Sequence, residues 1–208
     1  MNIAIITDTH FGARNDNVNF SEYFYKFYEE QFFPYLKENN IKHCLHLGDI
    51  MDRRKYVSYR TAQNFRERFI QPFVKMGIEL HVLVGNHDTY FKNTNEINSV
   101  KELIGERYKN IKIYSEAEEV TFDDLSVLFV PWINASNYAS TMDIIEKSRA
   151  DICMGHLEIS GFEMTKGMKN EHGYDKSIFS KFDSVFSGHF HHKSDDGQIY
   201  YLGSPYEF

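Results

Sequence analysis

Residues with the chemistry of metal ligands fall in five short clusters: Asp8-Thr9-His10, Gly48-Asp49, Gly85-Asn86-His87-Asp88, Gly155-His156 and Gly188-His189-Phe190-His191. The candidate ligands are Asp8, His10, Asp49, Asn86, His156, His189 and His191. Oxygen and imidazole donors suit divalent ions of intermediate hardness, with manganese first and iron or zinc as alternatives. No thiolate takes part, which argues against a structural zinc site. Two divalent ions would outweigh the charges of Asp8 and Asp49 and leave a positive docking point for a phosphate. An isolated Asp-x-His or Gly-Asp is most often a turn. The weight lies in the joint occurrence, because each cluster follows a short apolar run. Gly48, Gly85, Gly155 and Gly188 stand just before ligands, where glycine tolerates the tight turns that aim a side chain into a cleft.

Those apolar runs read as strands over residues 3–7, 43–47, 78–84, 151–154 and 183–187. In open α/β sheets the carboxyl ends of strands line the ligand crevice. The five clusters should therefore meet in space. Between the strands, Asn19 with Glu22 three residues on suggests a capping box for a helix running toward Leu36, with a kink at Pro34. Residues 59–76 are helical in pattern and Gly77 is placed to end that helix. A further helix is expected over 95–104. Strands follow at 111–114, 119–122 and 125–130, with a tight turn at Asp123-Asp124. A helix over 137–148 and a strand over 199–202 complete the reading, and residues 160–173, with three glycines, read as a mobile loop near His156. The alternation predicts an α/β layered fold, parallel in its early part and mixed later.

Lysines and arginines number 23 against 30 aspartates and glutamates, a net charge of −7. Bulk electrostatic attraction to nucleic acid calls for the opposite sign. Contact with DNA would have to rest on local cations or bound metal. Arg53, Arg54 and Lys55 read equally as phosphate contacts or as a solvated helix start, and Arg14, Lys166, Lys169 and Lys193 are further candidates that singly read first as solubilising surface charge. Cys44 and Cys153 lie in strand-like runs and read as small core residues in a reducing compartment. No charged leader or long apolar stretch stands at the start of the chain, so the expectation is a cytoplasmic protein (host cytoplasm if viral) with no signal peptide or membrane span. His43, His46 and His81 sit inside strands and read as core or supporting residues rather than ligands. Trp132 is expected to pack under the clusters.

Taken together, Asp8-x-His10, Gly48-Asp49-x-x-Asp52, Gly85-Asn86-His87-Asp88, Gly155-His156 and Gly188-His189-x-His191 resemble the calcineurin-like metallophosphoesterase superfamily. The Ile-Thr-Asp-Thr-His-Phe-Gly start, the Gly-Asp-Ile-Met-Asp segment and the late Tyr-Leu-Gly-Ser-Pro are similar to the SbcD-like nucleases of double-strand-break repair. The short, Phe- and Tyr-rich form is most similar to recombination endonuclease subunits of T4-like phages. This resemblance implies an α-β-β-α sandwich of two mixed sheets flanked by helices, spanning residues 1–208 as one metallophosphoesterase domain. It implies one metal held by Asp8, His10, Asp49 and His191, and a second held by Asp49, Asn86, His156 and His189, with Asp49 bridging. It also implies a DNA substrate, a coiled-coil ATPase partner of the structural-maintenance type, and a homodimer formed through helices such as 59–76 and 95–104. The DNA-capping and ATPase-binding regions of such proteins are expected to be missing from this chain.

On that reading His87 protonates the departing oxygen, and the Asp52 carboxylate holds the other ring nitrogen of His87. Asn86 orients the phosphate, assisted by Arg53 and Arg54. The activity implied is a two-metal DNA exonuclease or endonuclease in recombination and repair. The competing reading is a phosphatase or phosphodiesterase acting on a protein or small molecule, because Gly-Asp-x-x-Asp-Arg occurs there too.

Overall fold

The computed structural model describes residues 2–105 and 107–206. Its strands are β1 (Ile3–Ile6), β2 (His43–His46), β3 (Glu79–Leu83), β4 (Ile111–Tyr114), β5 (Glu118–Phe122), β6 (Leu125–Val130), β7 (Ile152–Gly155), β8 (Glu163–Thr165), β9 (Met168–Lys169), β10 (Ser184–Ser187), β11 (Ser194–Asp195) and β12 (Ile199–Tyr201). The first sheet has the order β1-β2-β3-β4 and is parallel throughout. The second has the order β11-β12-β10-β7-β6-β5. There the central strands are parallel, and β11 and β5 run antiparallel at the edges. One sheet is thus mixed and the other wholly parallel, whereas the resemblance implied two mixed sheets. The parallel sheet follows from the helical crossovers that join its strands.

Alternation along the strands builds three apolar layers, because successive side chains face opposite sides. Cys44, Leu80 and Val82 face the helices of the first half, while Leu45 and Leu83 face the second sheet. Val127, Phe129 and Met154 meet them from the other side, and Leu128, Cys153 and Val185 turn outward to the second set of helices. The result is an α-β-β-α sandwich. Both cysteines are buried and free, as expected of core residues.

The helix Val18–Phe27 is capped by Asn17, whose side chain accepts from the Phe20 N–H, and not by Asn19. It passes through a π-helical turn, Tyr28–Phe32, into Phe33–Glu38. The second crossover repeats this arrangement: Tyr59–Asn64, a π-turn at Phe65–Ile70, then Gln71–Met76, closed by Gly77 at φ 65°. Each π-turn stands just before a proline, Pro34 or Pro72, which has no N–H to donate back along the helix. The helix expected over 95–104 is only Ser99–Leu103, capped by the Asn98 side chain. Asn95 is buried and donates instead to the carbonyls of Ser115 and Trp132, which pulls the chain out of helical geometry. The stretch 160–173 is not a bare loop either. It carries the β8–β9 hairpin, with backbone bonds between Gly161 and Asn170 and between Asn170 and Phe162.

Aromatic rings fill the layer between the first sheet and its helices. Phe69 is fully buried, with ring centroids 5.0 Å from Phe11, 5.1 Å from Tyr28 and 5.3 Å from Phe73. No helix among the described residues is long and apolar enough to cross a membrane. Replacing Phe69 by Ala leaves a cavity that its neighbours cannot close, and the expected cost is about 3–5 kcal/mol. Urea unfolding followed by far-ultraviolet circular dichroism measures it.

Candidate metal centre

The carboxyl ends of β1, β2, β3, β7 and β10 lie at one edge of the sandwich, and backbone bonds tie the loops that leave them. The Asp8 N–H donates to the Gly48 carbonyl, Trp132 to Val84 and Gly188 to Gly155. The second of these bonds joins the two sheets, from the end of β6 to the end of β3, and the third joins the neighbouring ends of β10 and β7, so the five clusters share one cleft. Four of the candidate ligands adopt left-handed backbone: Asp8 (φ 51°), His10 (φ 42°), Asp49 (φ 54°) and His189 (φ 85°). Such conformations are rare outside glycine and concentrate where side chains must be aimed.

The glycines beside them act mainly through size. A Cβ on Gly85 would run into the backbone and carboxylate of Asp49, and one on Gly188 into Thr7 and Asp8. Only Gly48 of the four has positive φ, so close approach, and not a tight turn, is what Gly85, Gly155 and Gly188 provide.

Asp49 is the hinge of the arrangement. Its Oδ2 lies 3.7 Å from His10 Nε2 and 3.4 Å from His156 Nε2, so a single oxygen faces both halves of the cleft. Its Oδ1 accepts the His87 N–H at 2.7 Å. On one side, Asp8 Oδ1 lies 3.9 Å from both His10 Nε2 and His191 Nε2, and those two nitrogens are 3.0 Å apart. On the other side, Asn86 Oδ1 lies 2.9 Å from both His156 Nε2 and His189 Nδ1. Ligand atoms of Asp8, His10 and His191 form one compact group, and those of Asp49, His156 and His189 a second. All seven candidate residues are therefore brought together.

The chemistry of this donor set fits divalent cations. His156 Nδ1 is bonded to the Leu47 carbonyl at 2.8 Å, which leaves Nε2 to face Asp49 and Asn86. Such bonds to the far ring nitrogen are how proteins orient metal-binding imidazoles. Burial pushes His10 and His189 down to about 3, so both rings are neutral and present lone pairs. Burial raises Asp8 to about 7, and the nearby Asp49 charge adds to the rise while His156 opposes it. Burial works the same way on Asp49, but the charge and hydrogen bond of His156, with His10 and His87, hold its carboxyl well below the usual range. Against the burial that would lower it, Asp49 raises His156 to about 9, so that ring balances part of the carboxylate charge, and divalent cations would stabilise the remaining lone pairs.

The supporting residues are less visible in sequence. Asp88 is fully buried, accepting from Ile50 and Met51 at 3.0 Å each through Oδ1 and from Gly85 at 2.9 Å through Oδ2. It clamps the second cluster to the third. Its place in Gly-Asn-His-Asp is the one signal for it in the sequence. Thr7 donates to Asp8 at 2.7 Å, and the His46 ring is bonded to the Thr9 hydroxyl at 2.9 Å. Trp132 packs its ring 5.1 Å from that of His189.

One expectation is corrected. The His87 Nδ1 is bonded to the backbone carbonyl of Asp52 at 2.7 Å, not to its carboxylate. The Asp52 carboxylate instead lies 3.7 Å from His10 Nδ1 and 3.9 Å from Arg53 Nε. Arg53 is engaged by Asp16 at 2.8 Å, and Arg54 donates to the Thr89 hydroxyl at 2.9 Å, beside the Asn86–His87 turn.

A family model of calcineurin-like phosphoesterases matches residues 1–193. The chain belongs to the calcineurin-like phosphoesterase family. As a family member it carries the layered α/β fold and the divalent-metal chemistry of a phosphoesterase. It is 36% identical over 177 residues to "Exonuclease subunit 1" of Enterobacteria phage T4, a match that covers 85% of this chain and 51% of that one. The chain thus spans about half the length of this relative. Two solved structures share the fold. One is GAP50, described as the anchor in the inner membrane complex of Plasmodium, with a TM-score of 0.57, 13% identity and coverage of 97% of this chain and 70% of that one. The other is a hypothetical protein from Thermus thermophilus, with a TM-score of 0.50, 14% identity and coverage of 98% of this chain and 75% of that one.

Two outcomes are expected from this geometry. Replacing Asp88 by Ala leaves three backbone donors of the ligand-bearing loops without their acceptor, and manganese affinity should fall about 10–100-fold by titration calorimetry. Manganese binding should also weaken as pH falls through about 7, because Asp8 takes up a proton there and protonated carboxyl groups do not ligate.

Proposed function

We propose that this chain is the nuclease domain of a two-metal DNA exonuclease or endonuclease that acts in recombination and double-strand-break processing. The observation that carries the reading is the convergence of Asp8, His10, Asp49, Asn86, His156, His189 and His191 around the single Asp49 oxygen that faces both sides of the cleft. One ion would be held by Asp8, His10, Asp49 and His191, the other by Asp49, Asn86, His156 and His189. The donor set favours manganese, with iron or zinc as alternatives. Bound ions would supply an acidified water nucleophile and neutralise charge on the phosphate oxygens.

The protein's own groups do the rest. His87 is held by its main-chain N–H on Asp49 and by its ring on the Asp52 carbonyl. Its Nε2 is left to give a proton to the departing sugar oxygen. Asn86 presents its amide at the same turn and orients the phosphate. Arg54 sits next to that turn through Thr89 and is placed to contact a flanking phosphate.

Several features support DNA over a small ester. The T4 relative is named an exonuclease subunit, which also supports a partner subunit. We assign that role to a coiled-coil ATPase, and the exposed helices of the first half to a homodimer contact. Tyr56, Tyr59, Tyr90 and Phe91 are exposed in the segments that follow the second and third clusters. Arg53 lies over the Tyr56 ring and Lys55 over the Tyr90 ring. Interleaved cations and exposed rings suit stacked bases and their phosphates. This local patch supports a DNA contact in spite of the net negative charge, with Arg53 shared between Asp16 and the Tyr56 ring. A groove lined by Lys166, His191, His192 and Tyr206 adjoins the cleft at His191 and would lengthen the surface available to a polymer.

The test is an assay of linear and single-stranded DNA against p-nitrophenyl phosphate esters, with manganese and with chelator. DNA cleavage that chelator abolishes is the expected result. Turnover of small esters alone would remove the nuclease assignment and leave a phosphatase. In the same assay His87→Ala should keep its metal but lose about 10²–10⁴ in turnover, the range for a general acid. Near-normal cleavage by metal-loaded His87→Ala protein would take His87 out of this role.

A further inference from the structure

A second group of ligand-type residues lies far from the cleft. His43 is the first residue of β2 and Glu79 the first of β3, and the two are partners across the parallel pair. His81 is two residues beyond Glu79 and so shares its face of β3. His43 and Glu79 open their strands, at the opposite end from the turns that carry the Asp49 cleft, and His81 lies one pleat further along β3.

Their geometry is specific. Glu79 Oε2 lies 3.3 Å from His43 Nδ1 and 3.3 Å from His81 Nε2. In tetrahedral zinc sites the ligands stand about 2.0–2.1 Å from the metal, which places neighbouring ligand atoms about 3.3 Å apart. His43 Nδ1 is buried, and among the described residues it makes no hydrogen bond, its 3.3 Å approach to Glu79 Oε2 being a charge contact only. A buried polar atom in that state costs free energy unless something satisfies it. The far nitrogen of His81 is bonded to the Tyr114 hydroxyl at 2.9 Å, an arrangement that fixes the ring and leaves Nε2 on the Glu79 side. Phe122 packs against both imidazoles, with centroids 5.2 Å from His43 and 4.9 Å from His81. Lys112 lies 3.2 Å from Glu79 Oε1 and neutralises that oxygen while Oε2 faces the rings. Burial holds His81 down to about 4, reinforced by Lys112 and opposed by Glu79, so the ring is in the neutral form that ligates. His43 and Glu79 remain 25% and 34% exposed, which leaves solvent access for a fourth ligand.

We propose that His43, Glu79 and His81 form a mononuclear transition-metal site of the zinc type, separate from the paired-metal cleft. Its three protein ligands and open position make it a local clasp between β2 and β3.

Cobalt is the probe. Bound Co²⁺ is counted by equilibrium dialysis, and its visible absorption is recorded, on the wild-type chain, His43→Ala, His43→Gln and Glu79→Gln. Both histidine variants and the glutamate variant should bind one equivalent fewer than wild type and lose the intense tetrahedral absorption. Their manganese-dependent phosphoesterase activity should stay unchanged. Asp49→Asn should weaken metal binding in the cleft yet keep the tetrahedral absorption, so failure of the cleft assignment is separable from failure of this one. Equal cobalt stoichiometry and identical spectra in wild type and the folded variants would overturn the proposal and leave an ordinary histidine–glutamate ion-pair cluster.

Discussion

Asp49 is fully buried, and one of its oxygens lies within 3.7 Å of imidazole nitrogens from two different sheets. That contact requires the edge of a four-stranded sheet and the edge of a six-stranded sheet to meet in register. Most other features near the cleft serve it. Asp88 gathers the Gly48–Met51 turn and the Gly85 turn around one carboxylate, which places the Asp49 backbone. The same Asp49 side chain then anchors the His87 main chain, so ligand and proposed proton donor are positioned together. Its charge also shapes the neighbours, raising His156 to about 9 against the burial that would lower it.

The local cost of this placement is backbone strain. Asp8, His10, Asp49 and His189 all take left-handed conformations, each of which costs roughly 1–3 kcal/mol for a residue with a side chain. Such strain persists when the surroundings over-determine it. Here the surroundings are the missing Cβ atoms of Gly85 and Gly188, which let chain segments close on Asp49 and Asp8, and the ladder bonds that end just below each turn. Beneath the cleft, the aromatic layer from Phe11 through Phe69 to Phe73 gives the first sheet a dense backing. Phe69 also packs its ring against His46, which holds Thr9 between Asp8 and His10. Packing energy and ligand position are linked through those contacts.

The two poles of the sandwich contrast instructively. At the carboxyl ends of the strands, the candidate ligands arrive on turns and the residues just after each strand, so several chain segments contribute side chains to one space. At the amino ends, the His43, Glu79 and His81 side chains come from within two neighbouring strands, and their spacing is set by the pleat and by parallel pairing. The same donor chemistry is reached by two routes, one by strained turns and one by regular register.

Features that depend on near neighbours along the chain could be read from the order of residues alone. A short apolar run followed by Gly or a polar turn announces a strand end, so the five clusters and their shared edge were legible, as were the long second crossover closed by Gly77 and the Asp123–Asp124 hairpin. Tertiary structure decided what depends on residues remote in sequence. Asn95 leaves the helix because the Ser115 and Trp132 carbonyls are within reach. Asp52 offers His87 its carbonyl and not its carboxylate, which lies toward His10 and Arg53. Gly85 and Gly188 matter for what approaches them, and His43 and His81, legible only as core or supporting residues, acquire a common partner in Glu79 once β2 and β3 pair. Periodicity and turn chemistry report on a residue's own neighbours along the chain, whereas these contacts exist only after two sheets have folded face to face.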